Sequence, residues 1–309
     1  MISTLAEKVT DELELSGYRA AIASIDRLAY IEQEFRSIAN RDEWRKSPHL
    51  SQHIFDFTLP QEYKAKSILV VAAPVAPVNI GFVFRGEYFP FDAPPLSEDY
   101  EQDAANILSE IKKIISPHGY RLSESNLPTK ILASHCGLIS NGVNNIGYID
   151  GMGSYFRLSA YFSDIEPGNE KWLNNHSVNP KCAGCSRCID TCPTKCIERS
   201  SFQVNRCLSL LSKEPTDFPV WINSKWHNAL IGCRICQTVC PLNQEVSFKA
   251  SIGADFDETE TAAILSGEPL EYLCSKTREK LRYFTLEPLY PVVSRNLRLL
   301  FKKHGLTVN

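Results

Sequence analysis

The sequence predicts an α+β protein in three segments, and three features of its 309 residues point to this organisation. Residues 1–165 mix helical and strand-like patterns, as expected for an α/β domain. Nine of the 11 cysteines fall between Cys182 and Cys240, which marks residues 166–250 as a separate segment built on metal. Residues 251–309 return to helical periodicity and predict a short α-helical tail.

The composition is that of an ordinary folded protein. Hydrophobic residues make up 43% and charged residues 22%, which excludes wholesale disorder. A net charge of -3 argues against a surface that is basic throughout. The most apolar stretch, 68–84, is interrupted by Pro74 and Pro77 and is shorter than the roughly 20 residues of a membrane helix. With no signal-peptide pattern at the start, we expect a cytoplasmic protein without membrane association.

Periodicity assigns the elements of the first segment. Residues 1 to about 50 are expected to be helical, with one helix ending at Gly17. A buried strand is expected at 67–73, followed by a strand or ordered loop at 81–91. The remaining expectations are helices at 99–116 and 127–138, a loop at 140–145 and a strand pair over 146–162.

The tail is expected to hold three helices after residue 258, and the last two are rich in basic residues. Two interpretations stay open: a docking surface for a tRNA or an acidic redox partner, and a solvated helix face, which we favour. The basic residues are Lys276, Arg278, Lys280, Arg282, Arg295, Arg298, Lys302 and Lys303.

Two cysteine runs carry the strongest chemical signal. The run CAGCSRCIDTCP has the spacing C-x2-C-x2-C-x3-C-P, which bacterial ferredoxins use to hold two [4Fe–4S] clusters. Two-residue gaps let one loop place three thiolates around a cluster, and the proline turns the chain away. The run CRICQTVCP supplies three further cysteines, so the two runs give seven of the eight ligands needed.

Cys207, between the two runs, is the predicted eighth ligand. Two four-cysteine zinc sites are the alternative, although a third two-residue-spaced cysteine followed by C-P is unusual for zinc. Cys136, Cys196 and Cys274 are expected to be small buried apolar residues. The predicted ligands are Cys182, Cys185, Cys188 and Cys240 for cluster 1, and Cys192, Cys207, Cys233 and Cys236 for cluster 2.

The cysteine runs, with NRCLSLL between them, resemble the iron–sulfur domain of epoxyqueuosine reductases, a family that shares its cluster domain with reductive dehalogenases. Upstream, LPTKILASHCGL is similar to a family helix, with Lys130, Ala133 and Gly137 in register, and GMGSYFRLSAYFSD is similar to a family strand. Near the end, SRNLRLLF resembles an element of the family's helical tail.

The resemblance implies a nitroreductase-like α/β sheet in the N-terminal segment, which would hold cobalamin. It further implies low-potential electrons that pass through the two clusters to that cofactor and reduce an epoxide, with a proton donor for the departing oxygen. The residues expected to approach cobalamin are Asn144, Gly147, Gly153 and Ser154, and hairpin turns are the alternative explanation for them.

Three departures from the family fall on the substrate side. Ser123 stands where the family has its catalytic aspartate, Val143 where it has a lysine, and Ser140 where it has a tryptophan. Glu124 is the predicted replacement acid. These departures argue against epoxyqueuosine as the substrate.

Two hypotheses for function remain at this point. The first is a cobalamin-dependent reductase that receives electrons from a ferredoxin or flavodoxin and acts on an epoxide-like or other organic group. The second is a non-catalytic two-cluster carrier that reduces a partner such as a corrinoid protein. A zinc-stabilised tRNA-binding module is a third, minor alternative.

Overall fold

The structure is a computed structural model that describes residues 4–93, 99–175, 178–244, 246 and 251–306. It divides into two compact units, each made of segments distant in sequence. The sheet unit comprises Met1–Lys46, Leu50–Val75 and Glu101–Cys185, and the cluster unit comprises Ser47–His49, Ala76–Tyr100 and Ser186–Asn309. The division at residues 165 and 250 that the sequence predicts stays a prediction.

The α-helices are short except for three of 12 to 17 residues. In chain order they are α1 Leu5–Leu15, α2 Leu28–Ala39, α3 Asp42–Arg45, α4 Pro48–Ser51, α5 Asp99–Ile115, α6 Thr129–His135, α7 Arg187–Thr191, α8 Leu208–Leu211, α9 Ile235–Thr238, α10 Pro241–Gln244, α11 Glu258–Ser266, α12 Ser275–Tyr283 and α13 Tyr290–Lys303. No helix in the described ranges combines the length and the hydropathy needed to cross a membrane.

The strands form three sheets. They are β1 Arg19–Ser24, β2 Ser67–Pro74, β3 Val78–Phe84, β4 Glu87–Ala93, β5 Leu122–Ser125, β6 Ser140–Asn141, β7 Gly147–Tyr148, β8 Phe156–Ser163 and β9 Ser251–Phe256. The sheet unit contains an antiparallel sheet in the order β1-β2-β8-β5 and the small β6-β7 pair. The cluster unit contains the sheet β4-β3-β9, in which β3 and β9 run parallel.

The four-stranded sheet is covered by helices on both faces. Alternate residues of β2 explain this, because Ile68 and Val70 pack with α2 and α6, whereas Leu69 and Val71 pack with α1 and α5. A strand buried on both faces reads as a continuous apolar run, which is why SILVVAA was recognisable in the sequence. The predicted helix at 99–116 is confirmed as α5, and its apolar stripe contributes Ile107 and Ile111 to this core.

The expectation that residues 1–50 are helical is wrong for Arg19–Ser24. Helix α1 begins with a capping box between Thr4 and Glu7, and the chain leaves it at Gly17 with a positive φ of 87°. The next residues, RAAIAS, pair with β2 and bury Ala23 and Ile22. Their small side chains carry little strand signal, so tertiary packing decides the conformation.

The cluster unit has a core of its own. Strands β3, β4 and β9 pack against α11, α12 and α13, with Phe82 and Phe256 stacked at 5.0 Å between ring centroids. Strand β9 was not predicted, and the region 81–91, expected to be a strand or ordered loop, is a hairpin turning at Arg85 and Gly86. The predicted strand pair over 146–162 is corrected, because β7 pairs with β6 whereas β8 pairs with β2 and β5.

Candidate metal centre

The predicted cluster ligands lie in a part of the chain with little regular structure. All 11 cysteines are free thiols. Between residues 186 and 244, helices α7 to α10 have four or five residues each. Such short helices cannot stabilise themselves, so this segment depends on what its side chains bind.

The four residues predicted for cluster 2 all belong to the cluster unit. Cys192 ends α7, Cys207 is the N-cap of α8, and Cys233 and Cys236 stand before and within α9. Their thiols act on one another electrostatically: burial together with the neighbouring thiols of Cys233 and Cys207 raises the pKa of Cys236 to about 12. Thiolates crowded in this way need a bound cation to be stable.

Hydrogen bonds reach the sulfurs of Cys207 and Cys233. The Cys196 thiol, with the backbone amides of Ser209 and Leu210, lowers the pKa of Cys207 to about 7. The amide Nδ2 of Asn228 donates to Cys233 Sγ at 3.2 Å. Donors of this kind favour the thiolate form and tune the potential of an iron–sulfur cluster.

Cys196 occupies a place that the sequence did not indicate. It is buried as expected, with 2% exposure, but its Sγ lies 3.6 Å from Cys192 Sγ and also contacts Cys207. The Cys196 contact lowers the pKa of Cys192 to about 5, and the pKa of Cys196 itself is raised. The residue thus contacts two predicted ligands. Its position four residues after Cys192, just past C-P, was the available signal.

The other two leftover cysteines differ from each other. Cys136 is buried in the core beside α6, as expected, and burial raises its pKa to about 12. The expectation is wrong for Cys274, which is exposed and is the N-cap residue of α12, with its Sγ 3.1 Å from Thr277 Oγ1. An N-cap position lies at the surface whenever the first turn of its helix does.

The residues predicted for cluster 1 are divided between the units. Cys182 and Cys185 belong to the sheet unit, whereas Cys188 and Cys240 belong to the cluster unit. Cys188 is buried on α7, which packs against α9. In the described ranges, no three His, Cys, Asp or Glu side chains are arranged to hold a single metal ion.

The loop predicted to approach cobalamin is largely occupied with its own hydrogen bonds. Asn144 is buried; its Nδ2 donates to the Tyr148 hydroxyl at 2.8 Å, and its Oδ1 accepts from the Ile146 amide at 3.3 Å. The backbone of Gly153 exchanges two bonds with Ile149. Gly147 packs so closely that an added Cβ would lie 2.8 Å from Ile139 Cδ1. Ser154 follows in the same loop, between Gly153 and the start of β8.

The open part of this loop is Gly151. Its φ is +81°, and no atom lies within 4 Å of the position of an added Cβ. Asn145, in the same loop, accepts two hydrogen bonds from Lys130. The Lys130 Nζ donates to the backbone oxygen of Asn145 at 2.6 Å and to Asn145 Oδ1 at 2.8 Å. The Lys130 side chain is exposed, and desolvation by the surrounding protein atoms lowers its pKa to about 8. A lysine with this pKa is a proton donor near neutral pH that the sequence analysis did not select.

Glu124, the predicted replacement acid, lies on β5 opposite Tyr161, and its side chain is exposed. The neighbouring Ser123, at the aspartate position, has its Oγ 2.8 Å from the Tyr63 hydroxyl, which in turn donates to the backbone oxygen of Phe162. Ser123 is therefore hydrogen-bonded within the sheet unit through Tyr63. These observations leave the role of Glu124 a prediction.

The basic residues of the tail mostly bind groups within the cluster unit. Lys280 pairs with the buried Glu260 at 2.5 Å, Arg298 donates to the backbone oxygen of Leu265, and Lys303 donates to that of His227. Arg295 donates to backbone oxygens of residues 211–216. Arg295 and Lys303 thus hold the tail against the cysteine segment, whereas Lys280 and Arg298 bind groups within the tail, roles that neither sequence interpretation included.

Comparison with known proteins adds three findings. Residues 181–243, which include all eight predicted ligands, match the family described as a 4Fe-4S double cluster binding domain. Over 168 residues the chain is 32% identical to the epoxyqueuosine reductase of Leadbetterella byssophila, covering 50% of this chain and 54% of that one. The chain thus matches about half the length of that curated relative.

Two solved structures share the fold over 97% of this chain and 81% of theirs. One is the epoxyqueuosine reductase of Streptococcus thermophilus, with a TM-score of 0.65 and 18% identity. The other is an epoxyqueuosine reductase with an epoxyqueuosine-modified stem loop of tRNA-Tyr, with a TM-score of 0.62 and 20% identity. The predicted α+β fold and the resemblance to epoxyqueuosine reductases are confirmed. The domain match supports two [4Fe–4S] clusters, and the assignment of each cysteine stays a prediction.

Proposed function

We propose that this chain is an iron–sulfur reductase that uses two [4Fe–4S] clusters to deliver low-potential electrons to an organic substrate. The observation that carries the proposal is the cysteine set of residues 182–240, which follows the spacing of two-cluster ferredoxins and lies within a matched double-cluster domain. Similarity to epoxyqueuosine reductases supports reduction of an epoxide-like group as the chemistry.

The residues present suit the clusters. Cys192, Cys207, Cys233 and Cys236 are free thiols on loops of one unit, and amide donors reach the sulfurs of Cys207 and Cys233. A [4Fe–4S] cluster bound by such thiolates supplies one electron at a time at low potential. The chain contributes the hydrogen bonds and the burial that set this potential.

Cobalamin is the further cofactor that we propose, and the support for it is the sequence resemblance. The residues predicted to contact it do not offer free groups, because Asn144 and Gly153 bond within their own loop and Gly147 packs on Ile139. Gly151 leaves open backbone, but it supplies no ligand to cobalt.

Reduction of an epoxide to an alkene takes two electrons, which the clusters deliver one at a time, and two protons, which let the oxygen leave as water. Glu124 is one proposed donor, and Lys130, with its lowered pKa, is the second. One structural relative holds an epoxyqueuosine-modified tRNA stem loop, whereas Ser123, Val143 and Ser140 argue against the same substrate for this chain. We therefore propose this RNA as the first substrate to assay, with a ferredoxin or flavodoxin as electron donor.

Anaerobic purification with added cobalamin, followed by measurement of iron, cobalt and zinc per chain, tests the proposal. We expect about eight irons, from two four-iron clusters, with stoichiometric cobalt and without zinc. Eight irons without cobalt would remove cobalamin from the proposal and leave the iron–sulfur part intact. A zinc protein without iron would contradict it altogether.

A second candidate function is an electron-transfer protein that reduces a partner such as a corrinoid protein. The observation that favours it is Ser123, which replaces the catalytic aspartate of the resembling family and is tied to Tyr63. A protein that takes up electrons but converts no epoxide-containing RNA, while it reduces a corrinoid protein in the same mixture, would establish this alternative.

A further inference from the structure

An exposed apolar turn lies in the cluster unit after α8. Ile222 donates its backbone N–H to the oxygen of Pro219 at 2.9 Å, which closes a turn with Val220 and Trp221 at its two central positions. Val220 is fully exposed at 105%, and Trp221 is 41% exposed. Large apolar side chains placed together at a tip mark a contact surface more often than isolated ones.

The turn is held by the residues on both sides of it. The Phe218 ring lies under the Arg295 guanidinium at 4.0 Å and against the His227 ring at 4.5 Å. On the other side, Asn223 Oδ1 accepts the Lys225 amide at 2.9 Å and caps the 3-10 turn Ser224–Trp226. Anchors at both ends keep Val220 and Trp221 at the surface at little entropic cost to a partner.

The turn is linked to cluster 2 through Arg206. The Arg206 guanidinium lies 5.0 Å from the centre of the Trp221 ring, and its Nε is 3.4 Å from the backbone oxygen of Thr194. Arg206 immediately precedes the predicted ligand Cys207, and Thr194 stands two residues after Cys192. The turn therefore contacts the residue that immediately precedes a predicted cluster ligand.

The charge around the turn is opposite in sign to that of the whole chain. The Arg206 guanidinium lies over the Trp221 ring and the Arg295 guanidinium over the Phe218 ring. Lys225 is exposed four residues after Trp221, and Asp217 is the acidic residue in the segment 217–226. The chain as a whole carries a net charge of -3.

We propose that the turn Pro219–Ile222, together with Arg206, docks an acidic, low-potential electron-transfer protein that reduces cluster 2. The proposal rests on the proposed function, since it requires a cluster at Cys207. Redox encounters bury small areas, below about 1,200 Å², so an aromatic tip flanked by the guanidinium groups of Arg206 and Arg295 is large enough. In the step, the donor is oxidised by one electron and the cluster is reduced by one, with no bond or proton exchanged.

The test uses the cluster-loaded protein and two reductants, reduced flavodoxin and dithionite, in an anaerobic stopped-flow apparatus that follows cluster absorbance. Val220→Glu and Val220→Lys form a matched pair, because both remove the same apolar contact at a fully exposed site and differ in charge. Leu15→Glu, at an exposed position on α1, is the control for added negative charge elsewhere.

We expect Val220→Glu to lower the rate of cluster reduction by flavodoxin about tenfold at low salt. Flavodoxin should reduce Val220→Lys faster than Val220→Glu. High salt should remove this difference between the two variants. Trp221→Ala should also lower the rate at which flavodoxin reduces the cluster. Dithionite should reduce all variants at the wild-type rate. Equal flavodoxin rates for both Val220 variants and the wild type would overturn the proposal, as would weaker tRNA binding with unchanged reduction. Failure of dithionite to reduce the wild type would instead contradict the proposed function itself.

Discussion

The sheet unit and the cysteine segment of the cluster unit are stabilised in different ways. In the sheet unit, β2 is buried on both faces and helices of up to 17 residues pack over it. Residues 186–244 instead form helices of four or five residues joined by loops. Apolar burial therefore accounts for the first region, whereas bound metal must account for much of the second.

Removal of iron should have the largest effect, and it should act on the cysteine segment and not on the sheet unit. We expect the apo-protein to lose protection from amide exchange across residues 187–240, because helices of four or five residues are not stable without the clusters that their cysteines bind. Strand β2 should keep its protection. Hydrogen exchange measured by mass spectrometry on the holo- and apo-protein checks this. Equal loss in both regions would show that the sheet unit also depends on metal.

A substitution that creates a cavity in the sheet unit should destabilise that unit and leave the cysteine segment unaffected. Ile111 is fully buried beneath the sheet, and Ile111→Ala is expected to lower the free energy of unfolding of this unit by about 2–5 kcal/mol. Iron per chain should not change. Denaturant unfolding with parallel iron analysis is the measurement, and Lys112→Ala, on the exposed side of the same helix, is the control.

His227 should make the cluster unit sensitive to acid. It is 2% exposed, and burial, together with Arg295 and Lys303, lowers its pKa from 6.5 to about 4. Between these two values the unfolded state binds more protons, so stability is full above pH 6.5 and falls as the pH drops towards 4, by about 3 kcal/mol in all. His227→Leu should flatten this part of the profile, measured as unfolding between pH 5 and 7.5. An unchanged pH dependence would exclude His227 as its source.

The smallest expected effect is on the potential of cluster 2. Asn228→Ala removes the amide donor to Cys233 Sγ. A hydrogen bond worth about 1 kcal/mol corresponds to a one-electron potential lower by about 40 mV. Potentiometric titration followed by electron paramagnetic resonance should resolve this change in one of the two clusters. An identical shift in both clusters would mean that the assignment of Cys233 to cluster 2 is wrong.

The sequence predicted features that depend on spacing and missed those that depend on tertiary contacts. The cysteine spacing led to the double-cluster domain, and the apolar run at 67–73 led to β2. Strand β1 was missed because RAAIAS suits a helix until it pairs with β2. Strand β9 was missed because its partner β3 lies about 170 residues earlier in the chain.

The same limit applies to the candidate site. Cys196 has no motif of its own, and only folding brings it within 3.6 Å of Cys192. Lys130 was noted in the sequence for its register, but only the fold places its exposed ammonium against Asn145. Val220 and Trp221 lie in the apolar run FPVWI, and only the fold shows that both side chains are exposed.

The central claim is that Cys192, Cys207, Cys233 and Cys236 hold one four-iron cluster within the cluster unit. Iron and sulfide per chain in Cys207→Ala, compared with Cys196→Ala, test this most directly. Both thiols lie in the same contact group, but only Cys207 is a predicted ligand. We predict loss of about four of eight irons in Cys207→Ala and full iron content in Cys196→Ala. Full iron content in Cys207→Ala, retained when Cys196 is replaced as well, would contradict the claim.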